Sequence, residues 1–255
     1  MRLNFEVHGD GPPLILVHGL LGALDNWRSM SKRLATRYRV YSIDLRNHGH
    51  SPHSEMMNYS VMAQDLSEFF NAHNIESAFV LGHSLGGKIA MQLALESAAR
   101  VDKLIVADMA PKSYPPVHRP LLATLRQLNL GRLKSFADAE AALAPAIGDA
   151  ALRQFLIKNL ERAGDGSFHW RIALDSIIAN YDELIKAIRS NNRFDKPVCF
   201  LRAGRSEYIE AADLTLIRKH FPRAELRTIA DAGHWLHIEA PDEFFRIVTD
   251  FFGPP

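Results

Sequence analysis

Short apolar runs alternate with longer stretches whose apolar residues recur at helical spacing. Residues 14–17, 39–43, 78–81 and 103–107 read as strands, and residues 23–36, 60–73 and 85–97 as helices lying between or after them. This alternation predicts βαβ units and a mainly parallel sheet. Residues 3–7 alternate apolar and polar instead, as an antiparallel edge strand with one wet face would.

The pattern then changes. Residues 111–193 hold helix-like stretches and no βαβ unit. Pro115 and Pro116 open the segment, Pro145, Gly148, Gly164 and Gly166 punctuate it, and alanine-rich residues 137–152 favour helix. Alternation resumes with strands at 198–201 and 225–229 and helices at 211–220 and 241–252. The last helix opens on Pro241, Asp242 and Glu243, as helix starts prefer. The expected architecture is therefore an α/β core of residues 1–110 and 194–255, its helix-flanked, mostly parallel sheet interrupted before the last two strands by a helical cap, residues 111–193. Ligands of such sheets gather at the carboxyl ends of the strands. An insert leaving from that edge is placed to cover them. Its Leu121, Leu125, Phe136, Phe155, Phe168, Trp170 and Tyr181 are candidates either for a pocket wall or for the cap's own core.

Composition narrows the class of partner. A formal charge of +1 on 255 residues gives no bias toward nucleic acid or anionic membranes. The local cluster Arg28, Lys32, Arg33, Arg37 and Arg39 reads as a solvated face. No apolar run approaches the roughly 20 residues of a membrane span. The first residues lack the apolar stretch of a signal peptide, so a cytoplasmic protein is expected. The single cysteine, Cys199, sits in an apolar run and is expected to be a buried thiol.

The chemistry concentrates in Gly82-His83-Ser84-Leu85-Gly86, which directly follows one predicted strand and opens a helix. Strand, G-x-S-x-G, helix is the context of a nucleophile elbow. A serine at the tip of so sharp a turn is forced to positive φ, and side chains two residues before and after it would collide, so glycine takes those places. The hydroxyl then stands above the sheet edge, with a helix N-terminus aimed at developing negative charge. His83, inside the elbow, is expected to point away from the serine and pack.

An acyl-transfer serine needs a base close in space. Among twelve histidines, His234 follows the 225–229 strand at the edge where the serine points, and Gly233 allows the turn that aims its ring. Oxyanion donors are expected from the N–H of Leu85, next after the serine, and from Leu20 in the loop His18-Gly19-Leu20-Leu21-Gly22 that follows residues 14–17. Two acids sit at the right edge: Asp108, ending one strand, and Glu207, in the loop after residues 198–201. Either could fix the histidine tautomer. His48, His50 and His53 lie together in the loop Asp44 to Pro52. Their spacing matches no helix-borne zinc motif and no cysteine accompanies them. Asp44 and Arg46 are expected to tie down that loop, and no metal or cofactor is called for.

Taken together, the H-G loop, the D-x-R-x-H-G-x-S loop, the elbow, the insert and the terminal G-H resemble the α/β-hydrolase superfamily over nearly the whole chain. More narrowly, residues 44–52, the run Gly82 to Lys88 and Val106-Ala107-Asp108-Met109-Ala110-Pro111 are similar to small capped bacterial carboxylesterases and their mitochondrial abhydrolase-domain relatives. The resemblance implies a Ser84–His234 serine esterase acting on short- or medium-chain acyl esters, acyl thioesters among them, with small molecules as its partners. The superfamily's commonest acid position would select Glu207. The narrower group places the acid one strand earlier and a serine in the later loop, as Asp108 and Ser206 stand here, so Asp108 is the expected acid and Glu207 the alternative. The resemblance leaves two other readings: a carbon–carbon bond hydrolase or perhydrolase on the same residues, or a non-catalytic small-molecule receptor.

Overall fold

The computed structural model describes residues 1–253. Seven strands form one sheet: β1 (Phe5–His8), β2 (Pro13–Val17), β3 (Arg39–Ile43), β4 (Ala78–His83), β5 (Val101–Ala107), β8 (Val198–Ala203) and β9 (Ala224–Ile229), in the order β1-β3-β2-β4-β5-β8-β9. Only β1 runs antiparallel, pairing Phe5 with Ile43 and His8 with Val40. The central strands are apolar on both faces because helices cover both. In β2, Leu14 and Leu16 face Trp27, Met30 and Leu34 of the first helical region and Phe244 and Ile247 of the last helix. Ile15 and Val17 face the opposite way, into a core with Met62, Leu66, Ile89 and Leu93.

The helices that flank the sheet are α1 (Arg28–Leu34), α2 (Tyr59–Ala72), α3 (Leu85–Glu96), α8 (Asp213–His220), α9 (Leu236–Glu239) and α10 (Pro241–Phe252). Helix α2 begins where Asn58 accepts a hydrogen bond from the Val61 N–H at 3.0 Å. The stretch expected as one helix over 23–36 starts as a 3₁₀ turn, Leu24–Trp27, before α1.

Between β5 and β8 the chain forms α4 (Arg119–Gln127), α5 (Phe136–Leu143), α6 (Ala150–Ile157), α7 (Leu174–Leu184) and a hairpin of β6 (Leu160–Arg162) with β7 (Phe168–Trp170). The alanine-rich region is two helices rather than one. Pro145 cannot continue α5, and Asp149 caps the N-terminus of α6 through the N–H groups of Ala151 and Leu152. The hairpin went unread in the sequence because three-residue strands are too short to show alternation; Gly164 and Gly166 lie in its turn.

Candidate active site

Strands β4 and β5 are neighbours in parallel register, His83 opposite Ala107. The next residue on each, Ser84 and Asp108, therefore emerges side by side at the carboxyl edge. Both have left-handed backbones, φ +53° for Ser84 and +49° for Asp108, as do Leu21 (+58°) and Asn47 (+65°) in the two adjoining loops. Such conformations cost a non-glycine residue on the order of 1–3 kcal/mol each and gather where a site must be held in one shape. The elbow shows why glycines flank the serine. A Cβ on Gly82 would lie 2.2 Å from the Gly86 carbonyl oxygen, and one on Gly86 would lie 2.4 Å from that of Val17.

Five residues beyond β9, His234 turns its Nδ1 to the Asp108 carboxylate, 2.7 Å from Oδ2. Asp108 is 0 % exposed. Its charge is held by further donors, the Ala203 N–H at 3.2 Å and the Ser206 hydroxyl. Tyr208 lies nearly flat against the His234 ring, centroids 4.2 Å apart. Glu207 is exposed, and among the described residues it makes no hydrogen bond to His234. An Nδ1–H donated to a carboxylate leaves Nε2 as the free, basic nitrogen.

His83 does more than pack. Its Nε2–H donates to the His234 carbonyl at 2.8 Å, tying the elbow to the histidine loop. Burial, with the neighbouring His234 and His237, holds its pKa well below the ordinary value, so it stays neutral. Sequence spacing carries no sign of this contact, since the two residues are 151 positions apart.

The loop after β2 is cross-braced. His18 Nε2 accepts the Leu45 N–H at 3.0 Å, and His48 Nε2 accepts the Leu21 N–H at 3.1 Å. Each loop's histidine thus holds the other loop's backbone. The remaining nitrogens donate, His18 Nδ1 to the Gly19 carbonyl and His48 Nδ1 to that of Arg46. Burial keeps both rings neutral, pushing His48 down to about 3. Asp44 accepts from the N–H groups of Leu24 and His50, and Arg46 grips Asp65 with two bonds of 2.6 and 2.8 Å. His53 and His50 contact Arg171, one its carbonyl and the other its guanidinium. Among the described residues, no group of three or more His, Cys, Asp and Glu could hold a metal ion.

Two cavities meet at Ser84. One of about 100 Å³ is walled by the His18–Gly22 loop, Trp27, His83, Leu121, Leu152 and Phe155. The other, about 620 Å³, is walled by Met109, Tyr114, Pro115, Tyr181, Ile185 and Tyr208. Leu20, Ser84, His118 and His234 border both. The N–H groups of Leu20 and Leu85 have no hydrogen-bond acceptor among the described residues. Of the apolar residues named in the insert, Leu121, Phe155 and Tyr181 reach the cavities. Leu125 and Phe168 are buried, Trp170 packs against the same core, and Phe136 packs on Phe168. Ser84, His234, Leu20 and Leu85 all border the larger cavity, so a hydroxyl, an imidazole and free N–H donors face the same space, the kinds of group that acyl transfer uses.

The sequence profile of the alpha/beta hydrolase fold family matches residues 12–241. The chain is 33 % identical over 257 residues to the esterase YbfF of Escherichia coli, covering 98 % of this chain and 99 % of that protein. It is 33 % identical over 250 residues to the mouse (Mus musculus) sn-1-specific diacylglycerol lipase ABHD11, covering 94 % of this chain and 80 % of that protein. Among solved structures it resembles a marine microorganism esterase with a TM-score of 0.96 and 40 % identity, over 98 % of this chain and 99 % of that one.

Proposed function

This chain belongs to the α/β-hydrolase fold family and is a carboxylic ester hydrolase, and we propose that it works as a serine esterase with Ser84 as nucleophile, His234 as base and Asp108 as the acid that orients it. Ser84 Oγ attacks the ester carbonyl while His234 Nε2 takes its proton. The oxyanion is received by the N–H groups of Leu20 and Leu85. Collapse expels the alcohol, protonated by His234, and leaves an acyl-serine. Water, deprotonated by the same histidine, then releases the acid and restores the serine. Asp108 stabilises the imidazolium present in both steps.

The observation that carries this reading is the His234–Asp108 bond of 2.7 Å, with His234 bordering both cavities that Ser84 also borders. Residues 111–193 serve as the cap over them. The substrates are short- to medium-chain acyl esters, thioesters included.

Labelling with a fluorophosphonate and mapping of the modified peptide test the nucleophile. Turnover of p-nitrophenyl esters of graded chain length tests the substrate class. Stoichiometric labelling at Ser84 with turnover falling at long acyl chains is expected. An unlabelled Ser84 in protein that still cleaves esters would overturn the assignment.

A further inference from the structure

We propose that Asn159, from the segment between β5 and β8, is a positioning residue for the oxyanion donor of Leu20, acting through its hydrogen bond to the Leu21 carbonyl. The inference rests on the reading of Ser84 as nucleophile and Leu20 N–H as oxyanion donor.

Asn159 joins α6 to β6 and is 2 % exposed. Its Nδ2 donates to the Leu21 carbonyl at 2.8 Å, across 138 residues of sequence. The side chain is itself held: Nδ2 also reaches the Leu156 carbonyl at 3.3 Å, the Asn159 N–H donates to that same carbonyl at 3.0 Å, and the Asn159 carbonyl accepts the Arg171 N–H at 2.8 Å.

The connection to Leu20 runs through two peptide planes. The Leu21 carbonyl and the Gly22 N–H belong to one rigid trans unit, so fixing the oxygen fixes the hydrogen on the opposite side. That Gly22 N–H donates to the Gly19 carbonyl at 3.0 Å. The Gly19 carbonyl shares the second plane, reached through this hydrogen bond, with the Leu20 N–H, which therefore points the other way. Leu21 sits between them at φ +58° and has both backbone groups bound, its N–H on His48 and its carbonyl on Asn159. A left-handed leucine is disfavoured by roughly 1–2 kcal/mol and needs such bonds to persist. Asn159 thus makes the aim of the Leu20 N–H depend on the seating of the inserted segment.

Two substitutions in the full chain test this. Asn159→Asp sets a carboxylate oxygen against the Leu21 carbonyl; Asn159→Ala removes the donor with less risk to folding and is read in the same way. Deleting an oxyanion donor outright costs about 10²–10³ in kcat. Misaiming one should cost less, about 10- to 100-fold in kcat on a short p-nitrophenyl ester, with KM within about twofold. A boronic acid, whose tetrahedral adduct uses the same donors, should lose affinity in the same proportion. A segment that merely fastens to the core would leave the boronate affinity unmoved. Unchanged kcat, a loss confined to KM, or unaltered boronate binding would each overturn the proposal. Failure of the underlying reading looks different: the wild-type protein would resist fluorophosphonate, and Ser84→Ala would remain active.

Discussion

The Lys88 ammonium donates to the main-chain carbonyl of Lys186 at 2.8 Å, although 98 residues separate them. It also donates to the Lys112 carbonyl. One amine four residues after Ser84 therefore holds both ends of the segment between β5 and β8. Tyr59 and Tyr114 lie 5.5 and 5.3 Å from it, ring faces toward the charge. Tyr59 adds its own hydroxyl bond to the Leu184 carbonyl at 2.6 Å.

Lys88 is 1 % exposed. Burial without a carboxylate partner lowers its pKa from 10.5 to about 7. The folded chain thus sheds this proton near pH 7, while the unfolded chain keeps it to about 10.5. Protons bound by the unfolded state exceed those of the folded state across that window, so this group's contribution to stability rises with pH there. The slope is up to about 1.4 kcal/mol per pH unit, and the cost is fully present below pH 7. Urea midpoints from pH 7 to 10 for wild type and Lys88→Met should show the difference between them changing steadily. Parallel curves would contradict it. The comparison with the variant also cancels Cys199, whose thiol burial pushes up to about 12.

The nucleophile and the acid can be assigned by three substitutions. Ser84→Ala should lower kcat by about 10⁶, and Asp108→Asn by about 10⁴ through the wrong histidine tautomer. Glu207→Gln, at an exposed side chain, should change kcat/KM little. Steady-state kinetics on one p-nitrophenyl ester decides, and the reverse ranking would transfer the role to Glu207.

Gly86→Ala should damage the elbow itself. Its Cβ would meet the carbonyl oxygens of Val17 and His18 at 2.4 and 2.6 Å, and backbone cannot swing aside as a side chain can. Overpacking of this kind costs about 1–3 kcal/mol. The denaturation midpoint should fall and kcat/KM with it. A variant of wild-type stability would show that the elbow can relax.

His83→Phe removes the tether to the His234 carbonyl while keeping a ring in place. Losing one buried hydrogen bond of about 1 kcal/mol predicts a roughly fivefold drop in kcat/KM. An unchanged rate would reduce His83 to a packing residue.

The sheet was legible because a strand covered on both faces must be apolar throughout, and residues 14–17 and 104–107 show that plainly. The elbow was legible because its glycines answer a collision that any such turn creates. Other features depend on distances in space that spacing does not carry. Asp108 and Glu207 both end at the correct sheet edge, and only the turn of each chain places one of them against His234. Spacing set His48 aside as a metal ligand without giving it a role, and its bracing of a loop 27 residues away shows only in space. Lys88 sits in a helix buried along nearly its whole length, where a lysine would ordinarily be expected to reach for solvent.

The segment between β5 and β8 leaves and rejoins the sheet side by side. Tyr114 N–H meets the Ile185 carbonyl at 2.8 Å, and Ile188 N–H meets that of Pro111 at 2.9 Å. These two bonds close the base of the segment, so its ends are pinned to each other independently of what the chain does between them. The amine of Lys88 and the hydroxyl of Tyr59 form a socket at this base that reads main-chain oxygens alone and is blind to the side chains of the residues it grips.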